Sequence, residues 1–75
     1  MRLDELRNGQ CARVVRLRGR GGFRHRLMEM GLVRGADLQM VREAPLRDPL
    51  EIRIKGYNLS LRRDEASGIE VEVLP

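Results

Sequence analysis

The residue types that could do chemistry gather in residues 19–35, which read GRGGFRHRLMEMGLVRG. His25 and Glu29 lie four residues apart, so on a helix they share one face and offer an imidazole and a carboxylate, both of which Fe(II) accepts. Two ligands on an exposed face hold metal weakly, and a simple ion pair explains the same spacing. The sequence therefore predicts no required cofactor, with weak binding of Fe(II) or another divalent metal left open.

The glycines of this stretch do not match the known phosphate-binding loops. A P-loop needs Gly-Lys-Ser/Thr, and Lys55 is the only lysine of the chain. The dinucleotide fingerprint fails because Arg24 stands where its last glycine is required. With one histidine and no Ser/His/Asp arrangement, we expect a protein that is not an enzyme. The glycines then serve a tight corner between a strand and a helix.

Arginines carry most of the positive charge, and they cluster early in the chain. No acidic residue lies between Glu5 and Glu29, a segment that contains a run of arginines. Such a field attracts an acidic protein, a nucleic acid or an anionic lipid. Barrels that bind single strands rely on aromatic platforms, and we expect Phe23 and Tyr57, the two aromatic residues, to point inward. We therefore expect no nucleic acid partner.

Length and composition limit the organisation. At 75 residues the chain is expected to form one domain, residues 1–75. The single cysteine, Cys11, excludes an internal disulfide and suits a reducing cytosol. No apolar run approaches the roughly 20 residues needed to cross a bilayer. We expect a cytoplasmic protein without direct membrane insertion.

The second half of the chain alternates between apolar and polar residues, as half-buried antiparallel strands do. Three segments show the pattern, LEIRIK, YNLSLR and IEVEVL, and the first two are joined by a turn near Gly56. Their predicted inward residues are Leu50, Ile52, Ile54, Tyr57, Leu59, Leu61, Ile69, Val71 and Val73.

Two earlier segments, ADLQMVRE and QCARVVRLR, complete the set of strands. In the latter, Leu17 falls on the wrong face unless a bulge near Val15-Arg16 restores it. Between these two strands, Phe23, Leu27 and Met30 form one helical stripe, and Gly31 suits the helix end. We therefore predict a mainly β fold, a small five-stranded antiparallel barrel with one short helix between its first two strands. Single helical turns are expected at LDEL and at residues 62–68.

Three motifs in this order resemble the FeoA family of bacterial ferrous iron transport proteins: LMEMGLVRG, APLRDPLEI and KGYNLSLRRDEA. The resemblance covers nearly the whole chain. It implies an SH3-like barrel, also similar to the C-terminal domain of iron-dependent repressors. It further implies a cytosolic accessory of FeoB, the G-protein permease for Fe(II), held at the inner membrane through that partner. The alternatives are a small basic barrel that binds nucleic acid and a metal-responsive regulator-like module.

The outward face of the predicted helix and a later loop are the candidate docking surfaces for the permease. The predicted contact residues are Arg20, Arg24, His25, Arg26, Leu46, Arg47 and Asp48, and the metal candidates are His25 and Glu29. Reversing the charge of Arg24 and Arg26 is expected to weaken docking and leave the fold intact. The oligomeric state is not fixed by the sequence, and weak self-association near Met28 is left open.

Overall fold

The computed structural model describes residues 1–19, 21–43 and 48–75. Its strands are β1 Cys11–Leu17, β2 Asp37–Glu43, β3 Leu50–Ile54, β4 Tyr57–Leu61 and β5 Ile69–Val73. Its helical elements are a 3-10 helix Leu3–Glu5, helix α1 Gly21–Glu29 and helix α2 Arg63–Ala66. The predicted mainly β fold, with a helix between the first two strands, is confirmed. Among the described helices, none has the length and apolar character that a membrane span requires.

All the described strand pairs are antiparallel, in the order β4-β3-β2-β1-β5. The sheet curls into a small barrel around one apolar core. In these ladders β4 and β5 are the outer strands, so the sheet does not close through a pairing between them. The outer edge of β5 is instead covered by the first residues: the Val71 N–H donates to the Met1 carbonyl at 2.7 Å, and Arg2 bridges to Glu70.

The core consists of aliphatic residues from every strand and from each helical element. Leu50, Ile52 and Ile54 are at most 1% exposed, as the alternation in β3 predicts. Leu3 and Leu6 are also buried in this core. The predicted helical turn at LDEL is present as the 3-10 helix.

The predicted burial of Tyr57 and Val73 was wrong: they are 44% and 43% exposed. Each pairs with a buried residue, Ile54 and Ala12 respectively, so each lies on the core-facing side of its strand. Both stand at a strand end, where little of the core remains to cover them. The Tyr57 hydroxyl donates to the Met30 carbonyl, which places its ring beside the end of α1.

The predicted bulge in β1 is present. Val14 pairs with Val71 and Arg16 pairs with Glu70, so Val15 is the extra residue on the β1 side. The extra residue shifts the alternation by one position. Leu17 is therefore buried with Val14, while Arg16 faces solvent.

Helix α1 ends where the sequence predicts. Gly31 has a φ of 99°, a left-handed conformation that a glycine adopts without a Cβ clash. The Leu32 N–H donates to the Leu27 carbonyl at 3.1 Å and the Gly31 N–H to Met28 at 3.0 Å, the two bonds of a Schellman motif. Leu27 and Leu32 are both fully buried, which fixes the end of α1 on the core. The side chain of Phe23, the third member of the predicted stripe, lies outside the described part of the structure.

The first prediction concerns the core. Ile52→Ala removes fully buried methyl groups from β3, and we expect it to lower the free energy of unfolding by about 2–5 kcal/mol. Chemical denaturation monitored by circular dichroism measures the loss. Ser60→Ala, on the exposed face of β4, is the control, and its effect should stay within about 0.5 kcal/mol. Equal effects of the two substitutions would contradict the described core.

Candidate functional site

Helical spacing distributes the side chains of α1 among three surroundings. Leu27 points into the core and is fully buried. Arg24 and Met28, one turn apart, both line a depression beside β1. His25 and Glu29 form an exposed pair on the neighbouring face, and Arg26 faces α2. The predicted arginine ridge is therefore exposed, but its members have different neighbours.

His25 and Glu29 lie close together, as their spacing predicts. The His25 Nε2 atom is 3.1 Å from the Glu29 Oε1 atom, and the two side chains are 75% and 66% exposed. Within residues 1–19, 21–43 and 48–75, no group of three or more His, Cys, Asp or Glu side chains could hold a metal ion. The weak metal site stays a prediction, and this chain would supply two of its ligands.

Arg26 is not free to meet a partner in the way the sequence suggests. Its guanidinium forms an ion pair with Glu65 of α2, whose side chain is only 16% exposed. The Glu65 Oε1 atom also accepts the Arg62 N–H at 2.8 Å. Glu65 therefore joins α1 to the start of α2. Reversing the charge of Arg26 would place two carboxylates together, so we expect this change to lower the stability of the fold.

The second candidate surface, residues 46–48, is described only at Asp48. The Asp48 Oδ1 atom accepts the Arg63 N–H at 3.0 Å and so satisfies a free donor at the start of α2. Asp48 therefore has a structural role beside any role in docking. Arg20, Leu46 and Arg47 lie outside the described residues.

The early arginines meet carboxylates that come from later strands. Arg13 donates to Asp37 at 2.8 Å, and Arg18 donates to Glu70 at 2.9 Å. Arg16 lies 3.5 Å from the same Glu70. The hydrogen bond from Arg18 and the charge of Arg16 hold the pKa of the Glu70 carboxyl below its usual range, and the bond from Arg13 does the same for the pKa of Asp37. Much of the positive field predicted for the first third of the chain is balanced in this way.

Among the described residues, three arginines gather on a surface that we call the arginine pocket. It is a depression of about 410 Å³ between β1 and α1. Its lining residues are Val15, Arg16, Leu17, Arg24, Met28 and Arg34. An aliphatic floor with arginines around it can bind a group that is both apolar and negatively charged.

Sequence reasoning found Arg24 and the exposed Met28, which is 41% exposed, but missed Arg34 and Val15 as members of this surface. Arg34 lies in the turn after α1, and only the return of the chain into β2 brings it to β1. The predicted bulge was the available signal for Val15, since the extra residue of a bulge is free of the regular alternation.

Comparisons with known proteins agree with this geometry. Residues 1–73 match the family model of the FeoA domain. Over 74 residues the chain is 54% identical to the Fe(2+) transport protein A/Fe(2+) transporter FeoB fusion protein of Porphyromonas gingivalis, covering 99% of this chain and 9% of that protein. This chain thus spans about 9% of the fusion protein's length.

Solved structures share the fold. The FeoA protein of Chlorobium tepidum superposes with a TM-score of 0.94 at 47% identity, covering 100% of this chain and 71% of that chain. Stenotrophomonas maltophilia FeoA, solved in complex with zinc and described as a prokaryotic SH3 domain protein, superposes with a TM-score of 0.84 at 29% identity. That match covers 96% of this chain and 89% of that chain. The predicted SH3-like class of the barrel is confirmed.

The pairing of Arg26 with Glu65 generates the second prediction. Arg26→Glu should lower the free energy of unfolding by about 1 kcal/mol, because it replaces an attraction with a repulsion beside a mostly buried carboxylate. Arg24→Glu should change it by no more than about 0.5 kcal/mol. Chemical denaturation measures both. Adding Glu65→Gln to Arg26→Glu removes the repulsion and keeps an acceptor for Arg62, so it should recover part of the loss; no recovery would argue against the pair.

A third prediction follows from the lowered pKa of Glu70. Because the pKa of Glu70 is lower in the folded chain than in the unfolded chain, ionised Glu70 stabilises the fold. This stabilisation is fully present above the ordinary glutamate pKa and is lost as the pH falls through the pKa of the folded chain. Glu70→Gln should therefore lower the melting temperature at neutral pH, and its difference from wild type should shrink between about pH 5 and about pH 3. Thermal melts across this range test it. Arg18→Gln should lower the melting temperature less in the Glu70→Gln variant than in wild type, because its partner is already altered. If the two losses in melting temperature are additive, the residues are not coupled.

Proposed function

The chain belongs to the FeoA family, and from this premise we propose that it is a cytosolic accessory protein of bacterial ferrous iron uptake. It docks on a FeoB-type G-protein permease and modulates Fe(II) transport. The docking places it at the inner membrane through its partner. Fe(II) is the cargo of the permease in this proposal.

The observation that carries the proposal is the fusion protein of Porphyromonas gingivalis. There a segment 54% identical to this chain is joined to a FeoB transporter in one polypeptide. A covalent link keeps two domains at a high effective concentration, which benefits domains that act together. We infer that a domain of this kind carries a surface that contacts the transporter with which it acts.

The described residues support a binding role more than a catalytic one. Two charged side chains of α1 form ion pairs, Arg26 with Glu65 and His25 with Glu29. Cys11 is exposed. We therefore assign no catalytic step to this chain. His25 and Glu29 stay candidates for weak divalent metal binding, with further ligands supplied by another chain.

The alternatives gain no specific support. Nucleic acid binding would require exposed aromatic platforms. Tyr57 is partly exposed, but its hydroxyl is bonded to the Met30 carbonyl and its ring lies against the end of α1. No observation on the described residues favours a regulator-like role over docking.

The fourth prediction tests the proposal directly. The purified chain should bind the FeoB-type permease of the same organism, held in nanodiscs, and binding should weaken as salt rises because arginines contribute to it. Biolayer interferometry measures the affinity. Empty nanodiscs are the matched control, since they separate binding to the permease from binding to anionic lipid.

Uptake of labelled Fe(II) by anaerobic cells provides the second measurement. Cells without this chain should take up less iron, and re-expression of the chain should restore uptake. If the chain binds the permease but uptake is unchanged in its absence, the docking part of the proposal holds and the modulation of transport is refuted. If the chain does not bind the permease and its removal does not change uptake, the proposal as a whole is overturned.

A further inference from the structure

We propose that the arginine pocket binds a short acidic protein segment in which an aliphatic side chain is flanked by carboxylates. The aliphatic side chain would occupy the floor of the pocket, and the carboxylates would pair with the arginines at its rim. The assignment of this segment to the permease rests on the proposed function. The chemistry of the pocket does not.

The floor of the pocket is apolar and adaptable. Leu17 is 8% exposed and belongs to the core, while Val15 is half-buried as the extra residue of the bulge. Met28 is 41% exposed at the edge of the same depression. A methionine side chain is flexible and adjusts to differently shaped partners, which is why it is common on surfaces that bind peptides. One leucine-sized side chain could cover these three residues.

The rim is positive, and none of the lining residues that the structure describes carries a carboxylate. Arg16 already forms an ion pair inside the chain, because its guanidinium lies 3.5 Å from the Glu70 carboxylate. Among the described residues, no ion pair or hydrogen bond of the side chain engages Arg24 or Arg34. These two guanidinium groups can therefore form charge-assisted hydrogen bonds with a partner without first breaking bonds inside the chain.

A second depression of the barrel has a mixed charge and serves as a comparison for the arginine pocket. It measures about 640 Å³ and lies beside the 3-10 helix, where Asp4 and Glu5 are among its lining residues. Arg2 is bound to Asp4 there at 3.1 Å. Mixed charges that already pair internally give no preference for a carboxylate. In the arginine pocket the described charged lining residues are all arginines, and two of them, Arg24 and Arg34, form no ion pair with a described residue.

The pocket suits a protein segment better than a phosphate group or a nucleic acid. Aliphatic residues form its floor, and none of its described lining residues is an aromatic on which a base could stack. A phosphate would pair with the arginines and leave Val15 and Met28 exposed. An acidic segment with one apolar residue uses both parts of the pocket, which is the arrangement that gives an interface a desolvated centre and a charged rim.

The fifth prediction uses a fluorescein-labelled peptide with a central leucine between Asp-Glu pairs. Fluorescence anisotropy should show that Arg24→Glu/Arg34→Glu weakens binding of this peptide by about tenfold or more. Arg7→Glu/Arg53→Glu is the matched control: it changes the net charge equally, at two exposed arginines outside the pocket, and should bind nearly as wild type does. Circular dichroism checks that every variant is folded.

Three further probes separate this pocket from a general positive surface. A peptide with serine in place of the leucine should bind more weakly, and Met28→Gln should reduce the difference between the two peptides. Tripolyphosphate should compete poorly. Equal binding of the leucine and serine peptides, equal binding by both double variants, or tight tripolyphosphate binding that depends on Arg24 and Arg34 would each overturn the proposal.

The permease assay separates the two proposals. If wild type binds the permease and Arg24→Glu/Arg34→Glu binds it equally well, the assignment of the pocket to the permease is wrong and the proposed function stands. If wild type binds the acidic peptide but not the permease, the pocket chemistry stands and the proposed function fails. Weakened binding of the double variant to both the peptide and the permease, with the control variant unaffected, supports both.

Discussion

The bulge in β1 is the constraint on which the rest of the structure depends. Strict alternation would turn Arg16 toward the core and Leu17 toward solvent. The extra residue, Val15, reverses this, so that Arg16 meets Glu70 across the ladder and Leu17 stays buried. Because Val15 is free of the alternation, it can line the surface beside α1. One inserted residue thus preserves the core and creates the floor of the arginine pocket.

The charges show how the fold sorts a run of similar residues. Arginines that are neighbours in the sequence have different environments, because β1 and α1 pack against elements of different charge. Arg18 is held by Glu70 and Arg26 by Glu65, whereas Arg24 faces a depression whose described lining residues include no carboxylate. Net charge alone therefore does not locate a binding surface on this barrel; arginines without an internal carboxylate that surround apolar side chains do.

Most of the fold could be predicted from the sequence, because the signals are local. Alternation identifies the strands, and Gly31 marks the end of α1. The burial of Tyr57 could not be predicted, since it depends on how far the core extends beyond a strand end. The site was harder for the same reason: Glu65 lies 39 residues from Arg26, and Arg34 joins the pocket only through the path of the chain. Spacing along the sequence carries no information about such encounters.

Helix α2 has only four residues, yet it is bonded on two sides. Glu65 holds Arg26 of α1, and Asp48 accepts the Arg63 N–H at the start of α2. A partner that moves α1 away from the barrel must either break the Arg26–Glu65 ion pair or move α2 with α1. If α2 moves, the hydrogen bond between Arg63 and Asp48 transmits the movement to the residues before β3. Helix α2 thus connects α1 to Asp48, two parts of the molecule that are distant in the sequence.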